Sequence, residues 1–82
     1  MTKYVVAIES EGLNEIRSFY AKDMNDACEK VAAIIIDEYY IEEGEIISNL
    51  EYIDNRNYRD VMDILANTYD IIVSDIIEID EL

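Results

Sequence analysis

Apolar and polar residues alternate at the start of the chain, which predicts a β-hairpin. Residues 3–9 (KYVVAIE) place Tyr4, Val6 and Ile8 on one side and Val5 and Ala7 on the other. Both sides of this strand therefore carry apolar residues, and the division into an apolar and a polar side is incomplete. Residues 15–22 (EIRSFYAK) read as a second strand. The link between them, SEGLN at 10–14, contains Gly12 and predicts an antiparallel hairpin with a loop of three to five residues.

The periodicity then changes to that of a helix, which we predict from about Met24 to Tyr40. Asp23 is a good N-cap, and Asp26 falls at the N3 position, where a negative charge favours the helix dipole. One apolar stripe holds Met24, Cys28, Val31, Ile35 and Tyr39, and it is widened by Ala27, Ala32, Ala33, Ile34 and Ile36. Little of the middle is polar. This helix is therefore either covered on more than one side or partly buried in a partner.

The second half of the chain predicts a strand, a shorter helix and a last strand. Gly44 is well placed to end the first helix, and residues 45–53 return to strand character. Asn57 can cap a helix from residue 58 to about 68. The tail 71–79 (IIVSDIIEI) reads as one strand, with Asp75 interrupting its apolar phase.

These elements predict a single small α+β domain covering residues 1–82. The order is β-β-α-β-α-β, an antiparallel-rich sheet with two helices packed on it. The composition fits one domain with a genuine core, since 51% of the 82 residues are hydrophobic. In the alternative, residues 45–53 pair only weakly and the sheet has three strands.

The charge balance is extreme and excludes two classes of partner. Twenty Asp and Glu stand against six Lys and Arg, a formal charge of -14. A nucleic-acid binder needs Lys and Arg to displace counterions, so direct nucleic-acid binding is excluded, and an anionic membrane repels the chain. No cation lies between Lys30 and Arg56, and none follows Arg59. In two long stretches, the acidic residues therefore have no Lys or Arg near them in the sequence.

The residue types that perform catalysis are almost absent, so we predict a protein that is not an enzyme and has no cofactor or metal. Histidine is missing, and Cys28 is the single cysteine. The commonest general base and the usual zinc ligands are therefore lacking. Because Cys28 falls in the helical stripe, it is interpreted as an inert core residue.

The same features predict a cytoplasmic location. A lone thiol suits a reducing compartment. The longest apolar run, residues 31–36, is far short of the roughly 20 residues that span a bilayer. The N-terminus, MTKYVVAIES, turns acidic too soon for a signal peptide.

The segment DEYYIEEGEII, residues 37–47, is the best candidate for a binding surface. Its acids crowd the predicted C-terminal end of a helix, where the dipole favours cations, so local stability does not explain them. Acids four apart on a helix rise about 6 Å, close to about 7 Å for every second phosphate of a DNA strand. An anionic track is predicted from Asp37, Glu38, Glu42, Glu43 and Glu45, joined by Asp75, Glu78, Asp80 and Glu81 if the tail lies nearby.

The tyrosines divide between the predicted core and this surface. Five of the seven fall at core or sheet-face positions, where the ring packs and the hydroxyl reaches water. Tyr40 and Tyr58 lie beside acids near element ends, so we expect both at the surface. Tyr40 is the predicted aromatic contact for an Arg-rich partner.

In size, acid excess and clusters such as DEYYIEEGE, the chain resembles small acidic phage-encoded inhibitors of the anti-CRISPR and anti-restriction type. Some of those proteins mimic DNA, and they share no common fold. The resemblance implies a basic protein partner, such as a CRISPR effector subunit, a nuclease or another DNA-binding protein. That partner would be blocked sterically in the cytoplasm of the host cell.

A second hypothesis is a small intracellular adaptor or regulatory module, which could be a homodimer. Here an apolar helix or a sheet edge binds, and the acid provides solubility. The run VAAIII at residues 31–36 is the feature in its favour.

Overall fold

A computed structural model describes residues 1–39, 41 and 53–79 of the chain. Its helices and strands are β1 (Thr2–Ser10), β2 (Leu13–Ala21), α1 (Met24–Glu38), α2 (Tyr58–Tyr69), β3 (Ile71–Val73) and β4 (Ile77–Ile79). These four strands form one antiparallel sheet, in which β1 pairs with β2 on one side and with β3 and β4 on the other. The predicted α+β class is confirmed. The strand predicted at 45–53 falls almost entirely outside the described residues.

The β1–β2 hairpin is tighter than predicted. Pairing runs without a break from Thr2 opposite Ala21 to Ser10 opposite Leu13. The loop is therefore only Glu11 and Gly12, rather than three to five residues. Both have positive φ, 52° and 81°, the combination of a type I′ turn, whose twist matches that of the flanking strands. Glycine accepts this conformation without steric cost.

The prediction of one continuous strand over 71–79 is wrong, because the strand breaks at residues 74–76. Ser74 bridges the break, since its N–H donates to the Ala7 carbonyl and its hydroxyl accepts from the Ala7 N–H, each at 2.9 Å. The Ser74 hydroxyl thus accepts a hydrogen bond that a backbone carbonyl accepts in a continuous strand pair. This edge of the sheet is built from two three-residue strands, whereas the β2 edge has nine residues.

The start of α1 is capped as predicted. Asp23 Oδ1 accepts from the Asp26 N–H at 2.9 Å, so one of the first free amides of the helix is satisfied. The Asp26 carboxylate in turn accepts from the Lys22 N–H and from Lys30 Nζ. The Lys22 amide first, and then Lys30, holds the pKa of Asp26 below its ordinary value.

The end of α1 lies close to the predicted position. The helix stops at Glu38 with Tyr39 as its C-cap, and no basic residue lies in its last turn. Gly44, the predicted stop, lies outside the described residues. At α2 the predicted N-cap position, Asn57, is correct, but its side chain makes no cap hydrogen bond and accepts instead from the Asp54 N–H.

Both helices pack on one face of the sheet, and the core lies between them. Alternate residues of β1 face this side, and Tyr4 stacks on Phe19 of β2 with ring centroids 6.0 Å apart. The cluster of buried residues contains Tyr4, Val6, Ile8, Ala21, Ala27, Cys28, Val31, Ala32, Ile35, Ile41, Ile53, Tyr58, Val61, Met62, Leu65, Ile71, Val73 and Ile76. The domain is therefore two layers, with helices on one face of the sheet and no described element on the other.

Tyr58 is buried, so the expectation that it lies at the surface is wrong. Only 6% of it is exposed, and its hydroxyl donates to the Ser74 carbonyl at 2.9 Å. Tyr69 differs, since its buried hydroxyl has no partner among the described residues. The contrast arises because Tyr58, at the first turn of α2, reaches the strand break.

We expect Tyr58→Phe to lower the free energy of unfolding by about 1 kcal/mol, because the Ser74 carbonyl loses its tyrosine donor. Tyr69→Phe is the matched control and should be neutral or slightly stabilising, since it removes a hydroxyl that makes no hydrogen bond. Urea denaturation of the two variants beside the wild type measures both values. Equal destabilisation of the two would contradict the assigned hydrogen bond.

Candidate functional site: an acidic helix surface and an open sheet face

The outer surface of the helix layer is acidic. On α2, the side opposite the buried residues carries Asp60 and Asp63, three positions apart and both exposed. The outward side of α1 carries Glu29 and Asp37, also exposed. No ion pair joins these four to any described residue. We call these four residues the acidic helix surface.

Two residues of the predicted track are already neutralised by arginine. Arg17 of β2 donates through Nη1 to both carboxylate oxygens of Glu38, at 2.6 and 2.7 Å, and to Glu15 at 3.1 Å. The Glu38 hydrogen bond is the largest cause of a raised pKa for Arg17. The acidic end of α1 therefore receives its cation from a neighbouring strand rather than from the helix itself. Similarly, Asp75 forms an ion pair with Arg59 of α2.

The described part of the predicted track is divided between the two edges of the sheet. Asp37 and Glu38 lie at the end of α1, on the β2 side, as the Arg17 contact shows. Asp75 and Glu78 lie on the β4 side of β1, where Glu78 pairs with Tyr4 and is exposed. The structure therefore does not bring these two pairs together. The other predicted contacts lie outside the described residues: Tyr40, Glu42, Glu43, Glu45, Asp80 and Glu81.

The loop before α2 holds a buried carboxylate with a structural role. Asp54 is 6% exposed and accepts from the Arg56 N–H, Nε and Nη2 at 2.8 to 3.0 Å. The Arg56 side chain is the first cause of its lowered pKa. An open groove of about 500 Å³ runs from this loop to the first turns of α1. Its lining mixes Lys22 and Arg56 with Asp23, Asp26, Glu29 and Asp54.

Cys28 lies in the core, as predicted. It is 1% exposed, and burial is the main cause that raises the pKa of its thiol to about 11. The thiol is therefore protonated at neutral pH and screened from solvent, which makes it a poor nucleophile. Within the described ranges, no three Cys, Asp or Glu side chains are grouped so that they could hold a metal ion.

The sheet face opposite the helices is largely apolar, a feature that the sequence reasoning missed. Register places on it Lys3, Val5, Ala7, Glu9, Asn14, Ile16, Ser18, Tyr20, Ile72, Ile77 and Ile79. Ile16 is 76% exposed, Ile77 59% and Ile72 56%. We call these eleven residues the open sheet face. The available signal was the incomplete sidedness of residues 3–9, where Val5 and Ala7 make the second side apolar as well.

The chain matches no protein-family model, and neither a curated protein nor a solved structure is significantly similar to it. In the part of the chain that the structure describes, no helix has both the length and the apolar character needed to cross a bilayer.

Proposed function

We propose that this protein is a non-catalytic inhibitor that binds a basic nucleic-acid-binding protein through its acidic helix surface and blocks it sterically. The main support for this proposal is an exposed set of acids on the outer side of the helix layer, Glu29, Asp37, Asp60 and Asp63. None of the four has an ion-pair partner among the described residues. Carboxylates in this state are available to Lys and Arg of another protein.

The net charge supports this role through the rate and selectivity of association. A charge of -14 on 82 residues creates a long-range field that steers a basic partner towards the protein. Clustered carboxylates also resemble the phosphates that such a partner is built to hold. In the proposed complex, the carboxylates of the acidic helix surface therefore occupy the groove in which the partner binds nucleic acid.

The ion pairs within the fold change which acidic residues we expect to contribute most to binding of the partner. Glu38 and Asp75 already contact Arg17 and Arg59, so a partner's cation would have to compete with these arginines. Asp37 remains in the proposed surface, and Asp60 and Asp63 join it. The part of the predicted track that lies in residues 40–45 and 80–81 stays a prediction.

The test is capture from a bacterial lysate on immobilised protein at two salt concentrations. We expect a basic nucleic-acid-binding protein to be retained at about 0.05 M NaCl and released at about 0.5 M, because salt screens exposed charges. Asp60→Asn/Asp63→Asn should weaken its binding roughly ten-fold, since two carboxylates facing the partner are neutralised.

A matched control separates this surface from total charge. Glu11→Gln/Glu15→Gln removes the same two charges at the β1–β2 hairpin, and it should leave binding within about two-fold of the wild type. Circular dichroism confirms that both variants fold. Equal weakening by the two variants would show that net charge alone drives binding. Unchanged binding by Asp60→Asn/Asp63→Asn would overturn the proposed surface.

A further inference from the structure

We propose that the open sheet face is the interface of a symmetric dimer of this chain, with the two sheets packed face to face and the two β1 strands antiparallel. This inference does not rest on the proposed function. It concerns the opposite side of the molecule from the acidic helix surface.

The composition of the open sheet face is that of an interface core. Seven of its eleven positions are apolar: Val5, Ala7, Ile16, Tyr20, Ile72, Ile77 and Ile79. Large side chains on it remain exposed, Ile16 most of all at 76%. A contiguous exposed apolar patch of this kind is typical of an interaction site on a soluble protein.

Strand register arranges this face in rows across the sheet. The row at one end holds Tyr20, Lys3 and Ile79, and the row at the other end holds Asn14, Glu9 and Ile72. Between them lie a row of Ser18, Val5 and Ile77 and a pair of Ile16 and Ala7. The two charges of the face, Lys3 and Glu9, therefore lie at opposite ends of β1.

This charge placement makes the face complementary to itself in one orientation. A two-fold axis in the interface, perpendicular to β1 near Val6, stacks β1 of one copy antiparallel on β1 of the other. Lys3 of each copy then faces Glu9 of the other, and Ile79 faces Ile72. An axis parallel to β1 would instead place Lys3 on Lys3 and Glu9 on Glu9. Lys3 also lies over the Tyr20 ring, 5.9 Å from its centroid, which keeps its charge on this face.

The charge pattern also favours a second copy over a basic partner at this face. Among the eleven residues of the open sheet face, Lys3 and Glu9 balance each other, so these residues offer no excess of negative charge to a cationic surface. In the dimer the helix layers point outwards. Sheets about 10 Å apart and helices about 10 Å thick separate the two acidic helix surfaces by roughly 40 Å, far beyond a Debye length of about 8 Å. Self-repulsion is thereby small despite the charge of -14 on each chain.

Sedimentation velocity over a range of about 1 to 500 μM protein tests the dimer. We expect the wild type to shift with concentration towards twice the 9.5 kDa of the chain. Ile16→Glu should raise the dimer dissociation constant by roughly 100-fold, because each of the two copies then places a charge in the apolar interface. Leu13→Glu is the matched control. Leu13 is on the same strand and is 77% exposed, but it lies on the opposite face and should leave the dimer intact.

A charge-swap series tests the antiparallel orientation. Glu9→Lys should weaken the dimer about ten-fold, and Lys3→Glu/Glu9→Lys should recover most of that loss, because the swapped pair is again complementary. Failure of the double variant to recover would overturn the antiparallel arrangement. A wild type that stays monomeric throughout, or a Leu13→Glu variant as impaired as Ile16→Glu, would overturn the interface.

Salt separates this inference from the proposed function. Screening should leave the dimer largely intact, because most of the contact is apolar and does not depend on exposed charges. The same screening should release a basic partner from the acidic helix surface. A dimer that dissociates at about 0.5 M NaCl would contradict the apolar interface, while the capture experiment would be unaffected.

Discussion

We expect Val6→Asp to prevent folding. Val6 lies in the centre of β1, is 2% exposed and belongs to the cluster beneath the helices. A carboxylate there must lose its hydration or become protonated, and either cost is several kcal/mol against a total stability of about 5 to 15 kcal/mol. Circular dichroism should show loss of the native spectrum and no cooperative thermal transition.

Ala7→Asp is the control one residue further along the same strand. Its side chain points to the open sheet face and is exposed, so the charge remains hydrated. We expect a loss of no more than about 1 kcal/mol, from the lower strand propensity of aspartate, when the protein is dilute enough to be monomeric. Comparable unfolding by the two variants would show that both faces of β1 are covered, contrary to the two-layer arrangement.

We expect Ile35→Ala to give the second largest effect. Ile35 is fully buried in α1 against the sheet. Its truncation removes apolar contacts and leaves a cavity, which costs about 2 to 5 kcal/mol. For a domain of this size, that loss corresponds to a fall in melting temperature of roughly 8 to 40 °C.

Ile16→Ala removes the same atoms from an isoleucine that is 76% exposed. Because those atoms are mostly in water in the monomer, we expect a loss of no more than about 1 kcal/mol. Thermal melts of both variants at low protein concentration provide the comparison. Equal losses would contradict the assignment of Ile35 to the core and Ile16 to the open sheet face.

The local elements could be predicted from the sequence because their signals are local. The alternation of residues 3–9, the glycine link and the Asp23 cap each act within a few positions, and the structure has a strand, a turn and a helix start there. The strand break at Ser74 could not be predicted in the same way. It depends on a side chain replacing a backbone group opposite Ala7, 67 residues away.

Which acidic residues form ion pairs could not be predicted from their neighbours in the chain. The sequence shows no cation near Glu38 or Asp75, yet Arg17 and Arg59 reach them across the fold. The hairpin register determines that Arg17 faces the helix side, and a shift of one residue would turn it away. Conversely, the outward positions of Asp60 and Asp63 follow from the helical period of residues 58–69 alone, and both side chains are exposed in the structure.

The open sheet face was hidden because its apolar residues come from four separate strands. Ile16 is far in sequence from Ile72 and Ile77, and each of the three alone is compatible with a core position. Only the pairing of β1 with its neighbours shows that they share a face away from the helices. The division of the molecule into an acidic helix surface and an apolar sheet face is therefore a product of register.

The central claim is that the acidic helix surface occupies the nucleic-acid site of a basic protein. The most direct measurement is a competition titration of duplex DNA of about 20 base pairs against the complex of this protein with the nucleic-acid-binding protein that it captures. We predict mutual exclusion, with the apparent dissociation constant of the protein complex rising in proportion to the DNA concentration. A ternary complex with unchanged affinity for this protein would contradict the claim.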